Sequence, residues 1–153
     1  MRYVEAPVYP GNLPHPWVFL AGGITGVRDW QAEVRRILEP LPGGTMFNPR
    51  RANFPIHDPS AAQEQITWEY RNLTNADLIL FWFETKETQP IVLYELGRYA
   101  TLGKPLVVGA HPEYPRRQDV VIQMGLARPE IKVQTTLEET CNLVRYQLWK
   151  QTL

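Results

Sequence analysis

The feature that most limits what this chain can become is a series of short stretches built on continuous apolar runs: "WVFLAG" at 17–22, "GGTMFNP" at 43–49, "DLILFWF" at 77–83 and "KPLVVG" at 104–109. A strand with one wet face alternates apolar and polar residues, whereas a run that is apolar throughout belongs to a strand covered on both sides. Helical spacing fills the intervals. Trp30, Val34, Ile37 and Leu38 recur within 29–39, and Ile66, Tyr70 and Leu73 share a face within 61–75. A third helix opens near residue 89, with Thr88 as its cap and Pro90 in its first turn, where a missing N–H costs nothing. A short helix near 117–125 and a last one over 136–150 flank "IKVQ" at 131–134, which reads as the fifth strand. Strands and helices in this alternation predict a three-layer α/β/α domain with a flavodoxin-like parallel sheet of about five strands. It spans 17–153; residues 1–16, with Pro7, Pro10, Pro14 and Pro16, read as an irregular N-terminal arm.

A chain of 153 residues with 44% hydrophobic side chains can bury one core without metal or disulfide support. Sixteen basic side chains balance sixteen acidic ones with no basic block, which argues against nucleic acid or an anionic membrane as partner and favours a small molecule. The single cysteine, Cys141, forms no internal disulfide, and no charged start followed by an apolar run appears, so the cytoplasm is the expected compartment. His15, His57 and His111 lie in Pro-rich stretches without the close pairing of metal ligands. Neither a metal nor an organic cofactor is expected.

Ligands of such sheets bind beyond the C-terminal ends of the strands, which directs attention to 21–28, 48–60, 83–95 and 109–119. Glu95 stands there among Ile91, Val92, Leu93, Tyr94 and Leu96. A carboxylate on an apolar segment is costly unless paired, so Glu95 is either a functional group, a partner of Arg98, or solvent-facing. Glu69, on the preceding helix, is a second acid whose plain alternative is an exposed helical position. Asp77, at the start of its strand and far from the rim, suits the capture of backbone N–H groups. The turn "AGGITG" at 21–26 offers backbone N–H groups to an anion, although its glycines do not have dinucleotide or Walker spacing. Arg50 and Arg51 in "FNPRR" are candidates for a phosphate clamp or ordinary loop arginines. Trp68, Trp82 and Phe54 are stacking surfaces for a base, or core.

Taken together and in order, "VFLAGGI", "DWQ", "FNPRR", "WEYRNLTNADLILFWF" and "PIVLYELGRYATLGKPLVV" resemble the nucleoside 2-deoxyribosyltransferase family, in its 2-deoxyribosyltransferase-like branch, over residues 17–140. The resemblance implies that Glu95, in the "ELG" element, is the nucleophile on the sugar's anomeric carbon. It implies that Glu69, eight residues before the aspartate of "AD", assists at the base, and that Gly22 and Gly23 shape the sugar pocket. Phe19 stands where family transferases have a tyrosine that steadies the nucleophile, and Gln89 where they have an aspartate; both fall among the expected substrate-binding residues, with Arg50 and Trp68. The acid near the base is Glu69 here and aspartate in typical members. The asparagine that those members contribute from a neighbouring subunit falls near Val120.

The resulting expectation is cleavage or transfer at the N-glycosidic bond of a nucleoside or nucleotide, through a glycosyl-enzyme intermediate, in a homodimer or higher homo-oligomer. Tyr70, Trp68 and Tyr94 are the apolar groups expected to support the subunit contact. Two alternatives are a nucleoside 5′-monophosphate hydrolase, favoured if Arg50 or Arg51 enters the pocket, and a non-catalytic nucleotide-binding module.

Overall fold

The computed structural model describes residues 1–9 and 11–150. Five parallel strands form one sheet: β1 (Arg2–Glu5), β2 (Trp17–Gly22), β3 (Thr45–Asn48), β4 (Leu78–Phe83) and β5 (Leu106–Ala110). The spatial order is β1-β3-β2-β4-β5. Five helices accompany them: α1 (Trp30–Leu38), α2 (Ala61–Asn75), α3 (Pro90–Thr101), α4 (Arg117–Ala127) and α5 (Leu137–Lys150). The three-layer, flavodoxin-like architecture expected from the apolar runs is the one observed.

The two-residue period of the strands divides the core. Phe19, Ala21, Ile79, Phe81, Phe83, Val108 and Ala110 face α2, α3 and α4, where they meet Trp68, Leu73, Leu96, Tyr99 and Met124. Val18, Leu20, Leu78, Leu80, Trp82 and Val107 face the opposite layer, where they meet Trp30, Val34 and Leu38 of α1 and Leu137, Cys141 and Val144 of α5. Every residue of β4 is buried, as a strand covered on both faces requires. Cys141 lies wholly inside, and burial pushes its thiol up to about 12, so it is an inert packing group.

Several local expectations are corrected. The arm at 1–16 is not irregular throughout: Arg2–Glu5 pairs with Thr45–Asn48 as edge strand β1. "IKVQ" is not a strand, for Gln134 makes only an isolated bridge to Gly109. The sheet therefore still has five strands, but the fifth comes from the N-terminal stretch, whose prolines interrupt only the residues after it. Helix α3 is preceded by Gln89 rather than capped by Thr88. On α2, Leu73 is buried while Ile66 and Tyr70 are exposed, because the helix turns Trp68 and Asn72 to the sheet instead.

Asp77 behaves as the sequence suggests. Its carboxylate accepts the Trp17 N–H at 2.6 Å and meets the His15 ring at 2.6 Å, tying the start of β4 to the start of β2 at the pole away from the rim.

Candidate active site

The chain leaves β2 for β3 on one side and later returns to β4 on the other, so the order in which strands are added reverses between β2 and β4. Loops that diverge at such a point open a crevice. Here it holds a pocket of about 520 Å³, lined from β2 and its following turn by Phe19, Gly22, Gly23 and Thr25, and from α2 by Ile66 and Glu69. The loop after β4 and the first turns of α3 close it with Glu87, Thr88, Gln89, Ile91 and Glu95.

The glycines are required by crowding. A Cβ on Gly22 would run into the Trp30 ring and the Trp82 carbonyl oxygen, and one on Gly23 would stand 2.7 Å from the Gln89 side chain. Backbone therefore forms this wall. Trp30 Nε1 donates to the Gly23 carbonyl at 3.0 Å, which fixes the turn from below.

Helices α2 and α3 both start at the rim and run back along the same face of the sheet, which is why acids on two different helices enter one pocket. Glu95 is the sixth residue of α3, about one and a half turns in. Among the described residues its carboxyl group has no hydrogen-bond or ion-pair partner. Arg98, its expected helical neighbour, instead donates to the Tyr70 hydroxyl at 3.1 Å and stacks over the Tyr70 and Tyr99 rings. Burial, reinforced by the nearby Glu69 charge, pushes the Glu95 carboxyl up to about 8. Burial also raises Glu69, against the opposing effect of the Gln65 amide, which donates to its carboxylate at 2.8 Å. Two acids pushed above their ordinary range in one crevice resist ionising together, and in the empty pocket Glu95 is the one that keeps its proton. Such a pair can hold one ionised group for attack and one protonated group for donation.

Phe19, Gly22, Gly23, Glu69, Gln89 and Glu95 are thus brought together. Arg50 and Trp68 are not. Arg50 is turned away from the pocket, its guanidinium donating to the Gln31 side chain at 2.9 Å and the Arg28 carbonyl at 2.9 Å and lying 3.4 Å from Asp29. It holds the 27–31 segment, a role that a loop arginine takes wherever carbonyls converge. Arg51 likewise pairs with Glu64 at 3.2 Å and lies over Phe54. Trp68 is fully buried, packed on Phe19 and Phe47 with its indole N–H on the Val8 carbonyl at 2.7 Å, so it is core and offers no stacking face. Trp82 is also core, its indole N–H donating to Glu84 at 3.1 Å.

Sequence reasoning passed over three contributors. Glu87 brings a third carboxylate to the pocket mouth. Glu84, 4% exposed, accepts from Trp82, from the Thr85 N–H at 3.1 Å and from Arg28 Nε at 2.7 Å, and these donors hold it ionised below its usual range despite its burial. Tyr114 donates its hydroxyl to the Thr88 carbonyl at 2.6 Å. The signal for Glu84 was present in its place directly after an all-apolar strand, at the rim. No sequence signal announced Tyr114, which reaches the loop from the far side of β5.

Among the described residues no group of His, Cys, Asp and Glu side chains is placed to hold a metal ion, and no helix is long and apolar enough to cross a membrane.

No curated protein sequence matches the chain. A family model described as "Nucleoside 2-deoxyribosyltransferase like" matches residues 15–114, a span that runs from the residues preceding β2 through β5 and contains every pocket residue. That match points to deoxyribosyltransferase-like chemistry on a nucleoside. The chain belongs to the nucleoside 2-deoxyribosyltransferase-like family.

Proposed function

We propose that the protein cleaves or exchanges the N-glycosidic bond of an unphosphorylated nucleoside, with Glu95 as nucleophile and Glu69 as the acid and base at the nucleobase. The observation that carries this reading is the pair of carboxyls of raised pKa facing one apolar pocket at the sheet's reversal point. In the empty pocket the proton rests on Glu95, so on substrate binding it passes to Glu69, and the Glu95 carboxylate so freed attacks the anomeric carbon. The electron pair of the breaking C–N bond passes to the base nitrogen, which takes a proton from the Glu69 carboxyl. The sugar then rests on Glu95 as an ester. An acceptor base or a water molecule attacks the same carbon, gives a proton to the Glu69 carboxylate and releases Glu95. Acceptor and donor bases use the same groups in reverse order, so transfer and hydrolysis differ only in what occupies the base position at the second step.

The charge around the pocket bears on the alternatives. Its ionisable lining groups are the acids Glu69, Glu87 and Glu95, while Arg28, Arg50 and Arg51 are committed to partners outside it. A 5′-phosphate would meet like charge without a cation to neutralise it, which weighs against the monophosphate hydrolase. A non-catalytic binding module gives no reason for an unpaired acid on α3.

The subunit arrangement is a proposal of the same kind. Ile66 and Ile91, each 65% exposed, line the pocket, and Tyr70 and Tyr94, 52% and 65% exposed, lie on the same two helices; we propose that a second copy covers them. Trp68 has no part in that contact because it is internal. Light scattering should return at least the dimer mass; a monomer with full activity would dismiss a shared pocket.

Incubation with nucleosides and nucleoside 5′-monophosphates, with and without free bases, should release or exchange base from the nucleosides alone. Glu95→Ala should lower that rate by about a thousandfold or more while folding normally, and retention of more than about a tenth of it would exclude nucleophilic attack by Glu95. Release from monophosphates only would favour the hydrolase, and no release from any substrate the binding module.

The raised Glu95 pKa makes a separate prediction about stability. Its carboxyl ionises near the ordinary value when unfolded and near pH 8 when folded, so between these limits the native state holds the extra proton and stability falls as pH rises. Glu95→Gln removes that slope. The melting-temperature advantage of the variant should widen from about pH 5 to pH 8 and then level off. A constant difference across that window would show that Glu95 is not buried in the protonated form.

A further inference from the structure

Gln89 precedes α3 with φ 52° and ψ 59°, a left-handed conformation that a residue with a side chain keeps only when its surroundings hold it there. Lys86, three residues earlier, also has positive φ, at 76°, so the whole β4–α3 connection is bent tightly. The side chain of Gln89 is buried, and its amide is engaged through both its oxygen and its nitrogen. Oε1 accepts the Gly23 N–H at 2.9 Å, and Nε2 donates to the carbonyls of Glu84 at 3.0 Å and Glu87 at 3.3 Å. One side chain therefore joins the glycine turn after β2, the loop after β4 and the beginning of the helix that carries Glu95. It also fills the space that a side chain at Gly23 would need.

We propose that Gln89 is a positioning residue: it sets the distance between the glycine wall and Glu95 through its backbone contacts, rather than by donating to the substrate. Its place in the lining is that of a clasp, with its polar atoms directed at backbone. Both amide N–H donors are taken by the Glu84 and Glu87 carbonyls, so donating to a sugar hydroxyl would mean giving up a bond that holds the loop. The catalytic half of the proposal rests on Glu95 being the nucleophile; the structural half does not. Helix α3 is directed from its first turn, so a displaced N-terminus carries Glu95 with it, and a misplacement of about 1 Å at a reacting group lowers rate by up to about 100-fold. A second tie between the same segments, from Arg28 to Glu84 at 2.7 Å, lies farther out and leaves the inner spacing to Gln89.

Gln89→Met keeps the length of the side chain and removes all three hydrogen bonds. Amide exchange followed by NMR should show Gly23 losing protection by about tenfold or more, with β2 and β4 unchanged, since a lone hydrogen bond guards that N–H. For base release, kcat should fall by roughly 10- to 100-fold while KM stays within about threefold, the pattern of misplaced chemistry rather than lost binding. Unchanged exchange at Gly23 would overturn the clasp, and a raised KM with kcat intact would make Gln89 a substrate contact. If the Met variant does not fold, Gln89→Asn, which suits the left-handed backbone but is one methylene too short to reach the Gly23 N–H, is read by the same two measurements. Exchange is measured without substrate, so inactivity toward nucleosides would count against the Glu95 reading and still leave the clasp to be decided by Gly23.

Discussion

The parallel pairing of β2 with β4, in register from Val18 opposite Leu78 to Gly22 opposite Trp82, is the constraint on which the site depends. It ends both strands at the same height, so the turn after Gly22 and the loop after Phe83 emerge side by side. The following elements then diverge, because α1 covers one face and α2 and α3 the other. A crevice at that position needs no dedicated excavation. What the sequence adds is glycine where the two walls come closest, Gln89 to join them, and a carboxyl group on each of the two helices that border the opening.

Those carboxyls oppose the stability of the empty protein. A charged group in an apolar crevice loses hydration, and a like charge beside it raises the cost again, so Glu95 responds by holding its proton to about pH 8. Glu84 shows the contrasting treatment only eleven residues away. It is more enclosed, yet an indole N–H, a backbone N–H and a guanidinium meet its oxygens and keep it ionised. One acid is fully satisfied and anchors a loop. The other has no partner among the described residues and faces the pocket, and that difference separates a structural carboxylate from a reactive one more clearly than burial does.

The fold was legible because the strongest signals were long and redundant. "LILFWF" at 78–83 is apolar at every position, and α2 was bounded at 61–75 by the composition on either side of it. The two strand errors have a common cause. Both "RYVE" at 2–5 and "IKVQ" at 131–134 are short and mixed in polarity, as edge segments are, and only backbone pairing distinguishes the one that joins the sheet. Glu95 was found because a carboxylate interrupts an apolar helix. Trp68 was misread because helical phase, not residue type, decides which side of α2 meets the sheet. Arg50 was misread because the carbonyls that capture it come from 27–28, and a sequence gives no measure of that proximity. Tyr114 and the Gln89 clasp are tertiary contacts whose partners lie 26 and 66 residues away.

The central claim is that the sugar passes through a covalent bond to Glu95. Mixing the protein with a nucleoside substrate, quenching within the first turnovers and mapping the digested peptides by mass spectrometry tests it directly. The account predicts a mass increase equal to the glycosyl group on the peptide containing Glu95, absent when the substrate is omitted and located to that residue by fragmentation. Base release at the full rate with the sugar found on another residue would contradict it.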